Sequence, residues 1–246
     1  MFAASFFAIL LVSQHVAIPG LARYDLILLA TLLLQALLIA SKLETRDEVY
    51  TLLLFHALGF GLEVFKTNPA IGSWSYPEPG VCKLFGVPLY SGFMYAAVAS
   101  YMVQAWRLLA LRLEHYPSHA LSIALALAIY ANFFTHHFIP DLRWPLAACV
   151  LLLFRRTRIV FTPLHAERRM PLALGFLLVG FFVWVAENIA TFFGAWAYPH
   201  QSEGWRLVGL GKISSWGLLV IVTFIIVADL KHVKALRDAA RGGVSP

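Results

Sequence analysis

Long apolar runs broken by short polar stretches dominate the chain, and their lengths decide its solvent. A helix needs about 20 mostly apolar residues to cross the hydrocarbon core of a bilayer. Eight helices are predicted on that basis: Phe2 to Ile18, Tyr24 to Ser41, Glu48 to Phe65, Pro88 to Leu109, Leu121 to Phe138, Trp144 to Phe154, Met170 to Phe193 and Val208 to Leu230. Arg155, Arg156 and Arg158 cut the sixth short. It is either a half-length helix or one whose arginines snorkel while it continues through Ile159 to Phe161. The opening apolar segment has no basic flank and no small-residue cleavage pattern, so it is expected to remain as a helix.

Composition supports lipid as the solvent. The 246 residues are 60% hydrophobic and 13% charged, more apolar side chain than one water-soluble core can hide. The expected fold is all-α, a polytopic membrane helix bundle forming a single domain over residues 1–246, with no room for a separate soluble unit. Cys82 in a polar loop and Cys149 in an apolar run are not expected to meet, which argues against a disulfide framework. The net charge of +6 is spread over short loops, so it reads as membrane orientation and not as a nucleic-acid face.

Lys and Arg set that orientation. Thirteen follow the even-numbered helices and six follow the odd-numbered ones or open the eighth. Basic residues accumulate in cytoplasmic loops, so both termini are expected in the cytoplasm of a bacterial cell, with the chain in the inner membrane. The basic stretches Arg155 to Arg169 and Asp229 to Arg241 are then orientation signals that contact anionic lipid.

A repeat divides the chain. Gly72-Ser-Trp74-Ser-Tyr76-Pro77 recurs 122 residues later as Gly194-Ala-Trp196-Ala-Tyr198-Pro199, each time after a helix ending near a glutamate, Glu63 or Glu187. Upstream, His15, Ile18, Pro19 and Arg23 echo His136, Ile139, Pro140 and Arg143. Duplication accounts for this, with repeat 1 over about 1–115 and repeat 2 over about 116–246. Four helices per half restore orientation, so the repeat is parallel, and a pseudo-twofold axis along the membrane normal would bring the paired segments together.

The polar residues left inside or beside apolar helices are the candidates for chemistry. A carboxyl facing hydrocarbon is costly and becomes a proton donor as desolvation raises its pKa, so Glu63 and Glu187 are candidate acid and base; a helix-capping Glu paired with Lys66 is the simpler alternative. His56 sits seven residues before Glu63 on the same face. Tyr130, Asn132, His136, His137, Asp141 and Arg143 form the densest polar group, in which His136 or Asp141 could relay protons. Adjacent histidines diverge by about 100° on a helix, and no H-E-x-x-H pattern or cysteine ligand set accompanies them, so no metal is assigned. No motif names a cofactor. Trp74, Tyr76, Trp196 and Tyr198 suit interfacial anchoring, or the wall of a pocket for an apolar or cationic ligand. Asn188, Lys66 and Lys212 complete the binding candidates, a buried Lys212 requiring Glu187 or a similar partner.

The stretches Glu63-Val-Phe-Lys66-Thr67 with Gly72 to Glu78, Tyr130-Ala-Asn132-Phe-Phe-Thr-His136-His137, and Ala186-Glu187-Asn188 with Trp196-Ala-Tyr198-Pro199 resemble a family of bacterial integral membrane proteins, domain of unknown function 817. The likeness covers nearly the whole chain and brings no assigned activity. A looser similarity to membrane-embedded carotenoid cyclases and hydratases, small multi-pass proteins with acids at helix ends, points toward isoprenoid chemistry. The leading expectation is a membrane enzyme acting through paired carboxylates on a lipid-soluble substrate near the outer leaflet, with membrane lipids as its surroundings. A small proton- or cation-coupled transporter and a non-catalytic accessory subunit are the alternatives. No feature sets the oligomeric state.

Overall fold

The computed structural model describes residues 2–242, excluding the side chains of Arg46 and of residues 235–242; the tail residues Arg237 and Arg241 therefore lie outside the described side chains. Eight α-helices are present among the described residues: α1 Phe2–Val12, α2 Arg23–Ala40, α3 Arg46–Thr67, α4 Ser91–Leu108, α5 His119–Thr135, α6 Arg143–Leu153, α7 Leu172–Phe192 and α8 Lys212–Gly242. The chain is an all-α membrane protein. Helices α2, α3, α7 and α8 contain segments long and apolar enough to span a bilayer, whereas α1, α5 and α6 are shorter apolar helices.

The differences in length from the predicted helices have local causes. Ser13 ends α1 by donating its hydroxyl to the Leu10 carbonyl, and the chain then folds through an isolated bridge between Ile18 and Leu21 around Pro19 and Gly20. Helix α6 is half-length. The arginine-rich segment after it leaves the helical path, and Ile159 to Phe161 enter a strand, β4 (Arg158–Phe161). This strand lies between β3 (Arg112–Glu114) and β5 (Arg168–Pro171) in an antiparallel sheet, with Leu113 opposite Ile159 and Ile159 opposite Met170. The central strand is paired on both sides and buries Ile159 and Val160, while Arg158 is exposed. A second small hairpin, Lys83–Leu84 with Val87–Pro88, turns through Phe85 and Gly86, both at positive φ.

Helix direction alternates, so the bundle has two chemically distinct ends. At the arginine-rich end, α3 starts with a capping box between Thr45 and Glu48, and Arg107 near the end of α4 meets Glu48 at 3.1 Å. At the aromatic end, Arg23 at the start of α2 pairs with Glu78 and donates to the Phe193 carbonyl. There Ser75 and Ala197 exchange both backbone hydrogen bonds, at 2.9 and 3.0 Å, so the two G-x-W-x-Y-P segments join as an antiparallel pair.

Small residues set the helix spacing. Ala96, Ala97, Ala99 and Ser100 are buried on α4, which packs extensively against α3. Gly59 of α3 lets the base of the Tyr95 side chain approach, since a Cβ there would lie 2.3 Å from the Tyr95 Cγ and 2.6 Å from its Cβ. Both are stiffly held atoms. Gly61 has nothing within 4 Å of such a Cβ. Gly59→Ala is therefore expected to destabilise the protein by about 1–3 kcal/mol, while Gly61→Ala leaves it unchanged or up to about 1 kcal/mol more stable. Thermal unfolding of the two variants in one detergent gives the comparison.

Candidate functional site

Both glutamates are buried, Glu63 at 2% and Glu187 at 3% exposure, and both line one cavity of about 690 Å³. Helices α1, α4, α7 and α8 form its walls. The lining residues of α7 run from Leu172 to Ala190, a length of about 27 Å at the helical rise, close to the ~30 Å hydrocarbon thickness of a bilayer. Its lower end meets Ile159, Phe161 and Met170 of the three-stranded sheet. Among the described lining residues, Glu63 and Glu187 are the only charged side chains.

Each carboxylate is held by aromatic donors. Glu63 accepts hydrogen bonds from Trp74 Nε1 (2.6 Å) and Tyr76 Oη (2.7 Å) on its Oε2, and from Tyr95 Oη (2.7 Å) on its Oε1. Glu187 accepts from the Tyr198 hydroxyl on Oε1 and from Trp216 Nε1 (2.6 Å) on Oε2. The two sets touch, because the Trp74 and Tyr198 rings pack edge to face at 6.1 Å. A carboxylate offers about four lone-pair sites. Three are used on Glu63 and two on Glu187, so Glu187 keeps more capacity for a further donor.

The loop phenols are held protonated. Burial pushes Tyr198 and Tyr76 well above the ordinary phenol value, and the adjoining carboxylate, Glu187 or Glu63, pushes the same way. They therefore act as donors to the carboxylates across the working pH range. Lys212, the first residue of α8, lies over the rings of Tyr198 (4.5 Å) and Trp74 (5.6 Å) and attracts Glu187 electrostatically.

The other candidates from the sequence fall into separate groups. Trp196 lines the cavity but donates to neither carboxylate. Lys66 does not pair with Glu63; its Nζ donates to His137 Nε2 (2.8 Å) and His136 Nε2 (3.4 Å). His136 Nδ1 lies 2.7 Å from the Asn132 carbonyl, which can only accept, so that nitrogen carries the proton and Nε2 is free to accept. Burial, reinforced by the Lys66 charge, holds both imidazoles below their usual pKa. Asp141 accepts from Asn132 and pairs with Arg143 at 3.0 Å. Burial would raise its pKa, but these hydrogen bonds and the Arg143 charge prevail and lower it. This group adjoins the cavity without lining it. His56 packs between Phe60 and Phe93, its Nδ1 unbonded, and Tyr130 donates to the Leu58 carbonyl. Asn188 has a positioning role, since its Oδ1 accepts the Val208 amide at 2.8 Å and fixes the approach to α8.

Two donors were not among the sequence candidates, Tyr95 and Trp216. They lie 121 residues apart, near the starts of α4 and α8, a spacing within one residue of that between the two turn motifs, and that spacing is the signal that could have found both.

Residues 1–224 match the family described as protein of unknown function (DUF817). The chain belongs to that family. It is 56% identical over 234 residues to the uncharacterized protein YoaT of Bacillus subtilis (strain 168), covering 95% of this chain and 88% of that one. Among solved structures, the chain resembles the Insig homologue of Mycobacterium vanbaalenii, with a TM-score of 0.51, 15% identity, and coverage of 75% and 93% of the two chains. A cross-linked trimer of that mycobacterial protein matches with a TM-score of 0.52 and 15% identity, covering 76% and 95%. At this identity the likeness establishes a shared membrane-protein fold.

Glu63→Gln would place an amide NH₂ among three donors, whereas the amide of Glu187→Gln faces only two. The first is expected to destabilise by about 1–3 kcal/mol and the second by less. Unfolding midpoints of the two variants, measured in parallel, provide the check.

Proposed function

We propose that this DUF817 member is a membrane-embedded enzyme that takes a lipid-soluble molecule into the cavity and carries out acid–base chemistry on its polar end. The observation that carries the reading is the placement of two buried carboxylates in one long apolar cavity. A long apolar cavity suits a linear tail, such as an isoprenoid. Glu63, engaged by three donors, orients the polar end and stabilises positive charge developing there. Glu187, with spare acceptor capacity, exchanges the proton. Trp74 and Tyr198 offer π faces to a cationic intermediate.

Transport of an ion is the weaker reading, because a permeating ion needs polar steps along its path. Below the carboxylates the cavity wall is apolar apart from residues such as Tyr101 and Thr223.

Filling the cavity tests the proposal. Val179 lines it midway along α7, and Val179→Trp should leave the helical fold intact while displacing the tail. Native mass spectrometry of the wild-type protein is expected to find a co-purified amphiphile, reduced about tenfold or more in Val179→Trp. Lipid extracts of cells with and without the gene should differ in one lipid class, and Glu187→Gln should reproduce the gene-less pattern. Equal lipid occupancy in both proteins, or identical extracts, would reject the enzyme.

We also propose that the aromatic end faces outward from the bacterial inner membrane, with the arginine-rich sheet and both termini in the cytoplasm. The loop and sheet arginines support this orientation. The two halves are proposed to descend from one duplicated four-helix unit, a reading supported by the reciprocal Ser75–Ala197 hydrogen bonds between positions 122 residues apart. Cys82 is exposed at the aromatic end, so a membrane-impermeant maleimide should label it in intact spheroplasts without permeabilisation. Labelling only after lysis would invert the assignment.

A further inference from the structure

The end of α3 presents a charge problem that the carboxylate site does not solve. Lys66 is buried, at 4% exposure, and its ammonium bonds to two imidazole nitrogens that carry no negative charge. Among the described residues no carboxylate forms an ion pair with it. The charges that act on it most strongly include those of Lys212 and Arg143, both positive, opposed by Asp141. Asp141 is already engaged by Arg143 at 3.0 Å and by Asn132.

Three cations from α3, α6 and α8 thus act on one another, Lys212 attracted by Glu187 and Arg143 paired with Asp141, while Lys66 has no acid of its own. Arg143 is held toward the start of α8 by Ser214 Oγ at 3.3 Å. The start of that long helix adds the positive end of its dipole at Lys212. Like charges in a poorly solvated place repel, and a buried ammonium without a counter-charge is costly. An anion seated among them removes both penalties.

We propose that Lys66, Lys212 and Arg143 form a binding site for an oxyanion of the phosphate class at the aromatic end of the bundle. Lysine and arginine together suit phosphate, the first as a compact charge and the second as a planar fork. The anion has two potential sources, a free phosphate from water or the headgroup of a lipid whose tail enters the cavity. The second is sterically connected, because the Lys212 ammonium lies over Trp74 and Tyr198, which both line the cavity. The anion site stands on its own geometry and does not depend on acid–base chemistry at Glu187.

Thermal unfolding of the full chain in a neutral detergent tests the site. Inorganic phosphate and dodecyl phosphate are titrated separately, with dodecyl maltoside as the uncharged control. A rise in the wild-type midpoint with inorganic phosphate supports a free anion; a rise with dodecyl phosphate alone supports a headgroup. In either case Lys66→Met should weaken the apparent affinity about tenfold or more, and Lys66→Arg should largely restore it. Without added anion, Lys66→Met should unfold no earlier than wild type, since it removes an uncompensated charge. If Lys66→Met does not fold, Arg143→Met takes its place in the same titration. No stabilisation of the wild type by either phosphate, or undiminished affinity in the folded neutral variant, would overturn the proposal.

Discussion

The architecture of the aromatic end follows from the cost of placing a carboxylate in a hydrocarbon-like interior. Water cannot solvate it there, so protein donors must. Glu63 and Glu187 meet that need with indole and phenol groups, whose rings are apolar enough to line the cavity while their N–H and O–H groups point at the acids. The same side chains therefore satisfy two demands that conflict for most residues. The loops carrying Trp74, Tyr76 and Tyr198 are drawn onto the helix ends by these bonds, and the Ser75–Ala197 backbone pair fastens them to each other.

Around this arrangement the remaining contacts divide the work. Arg23 ties Glu78 to the carbonyls of Phe193 and Gly194, so the start of α2 holds the loop after α3 against the end of α7. Lys83 donates to the Tyr76 and Glu78 carbonyls and stiffens the first loop. At the opposite end, the antiparallel sheet lines the cavity with Ile159, Phe161 and Met170 while presenting Arg158 and Arg168 to the surroundings. Anionic lipid is the proposed neighbour of that basic face. The cavity thus runs between a hydrogen-bonded aromatic roof and a small β floor, and its length matches a bilayer.

Much of this was legible in the order of residues. The apolar runs located eight helices because a twenty-residue apolar stretch has few alternatives in lipid. The repeated turn motif and its preceding glutamates pointed to Glu63, Glu187, Trp74, Tyr76 and Tyr198, and the structure brings all five into one network. The shortening of α6 was visible as three arginines, but the strand that follows was not: one arginine and three apolar residues, Arg158 to Phe161, carry no alternation that would distinguish a strand from a snorkelling helix end. Lys66 stood as the partner of Glu63 in the helix-capping alternative, yet it turns to His136 and His137 on another helix end.

The sequence alone settled the solvent, the number of helices and the residue types at the heart of the site, because these depend on local composition and on periodicity within a segment. Only the tertiary structure decided that the two acids share a cavity, that Tyr95 and Trp216 complete their shells, and that Lys66 bonds to His136 and His137. Those facts rest on which helix faces meet across more than a hundred residues of chain. Packing geometry chooses such contacts, and no short window of sequence encodes it.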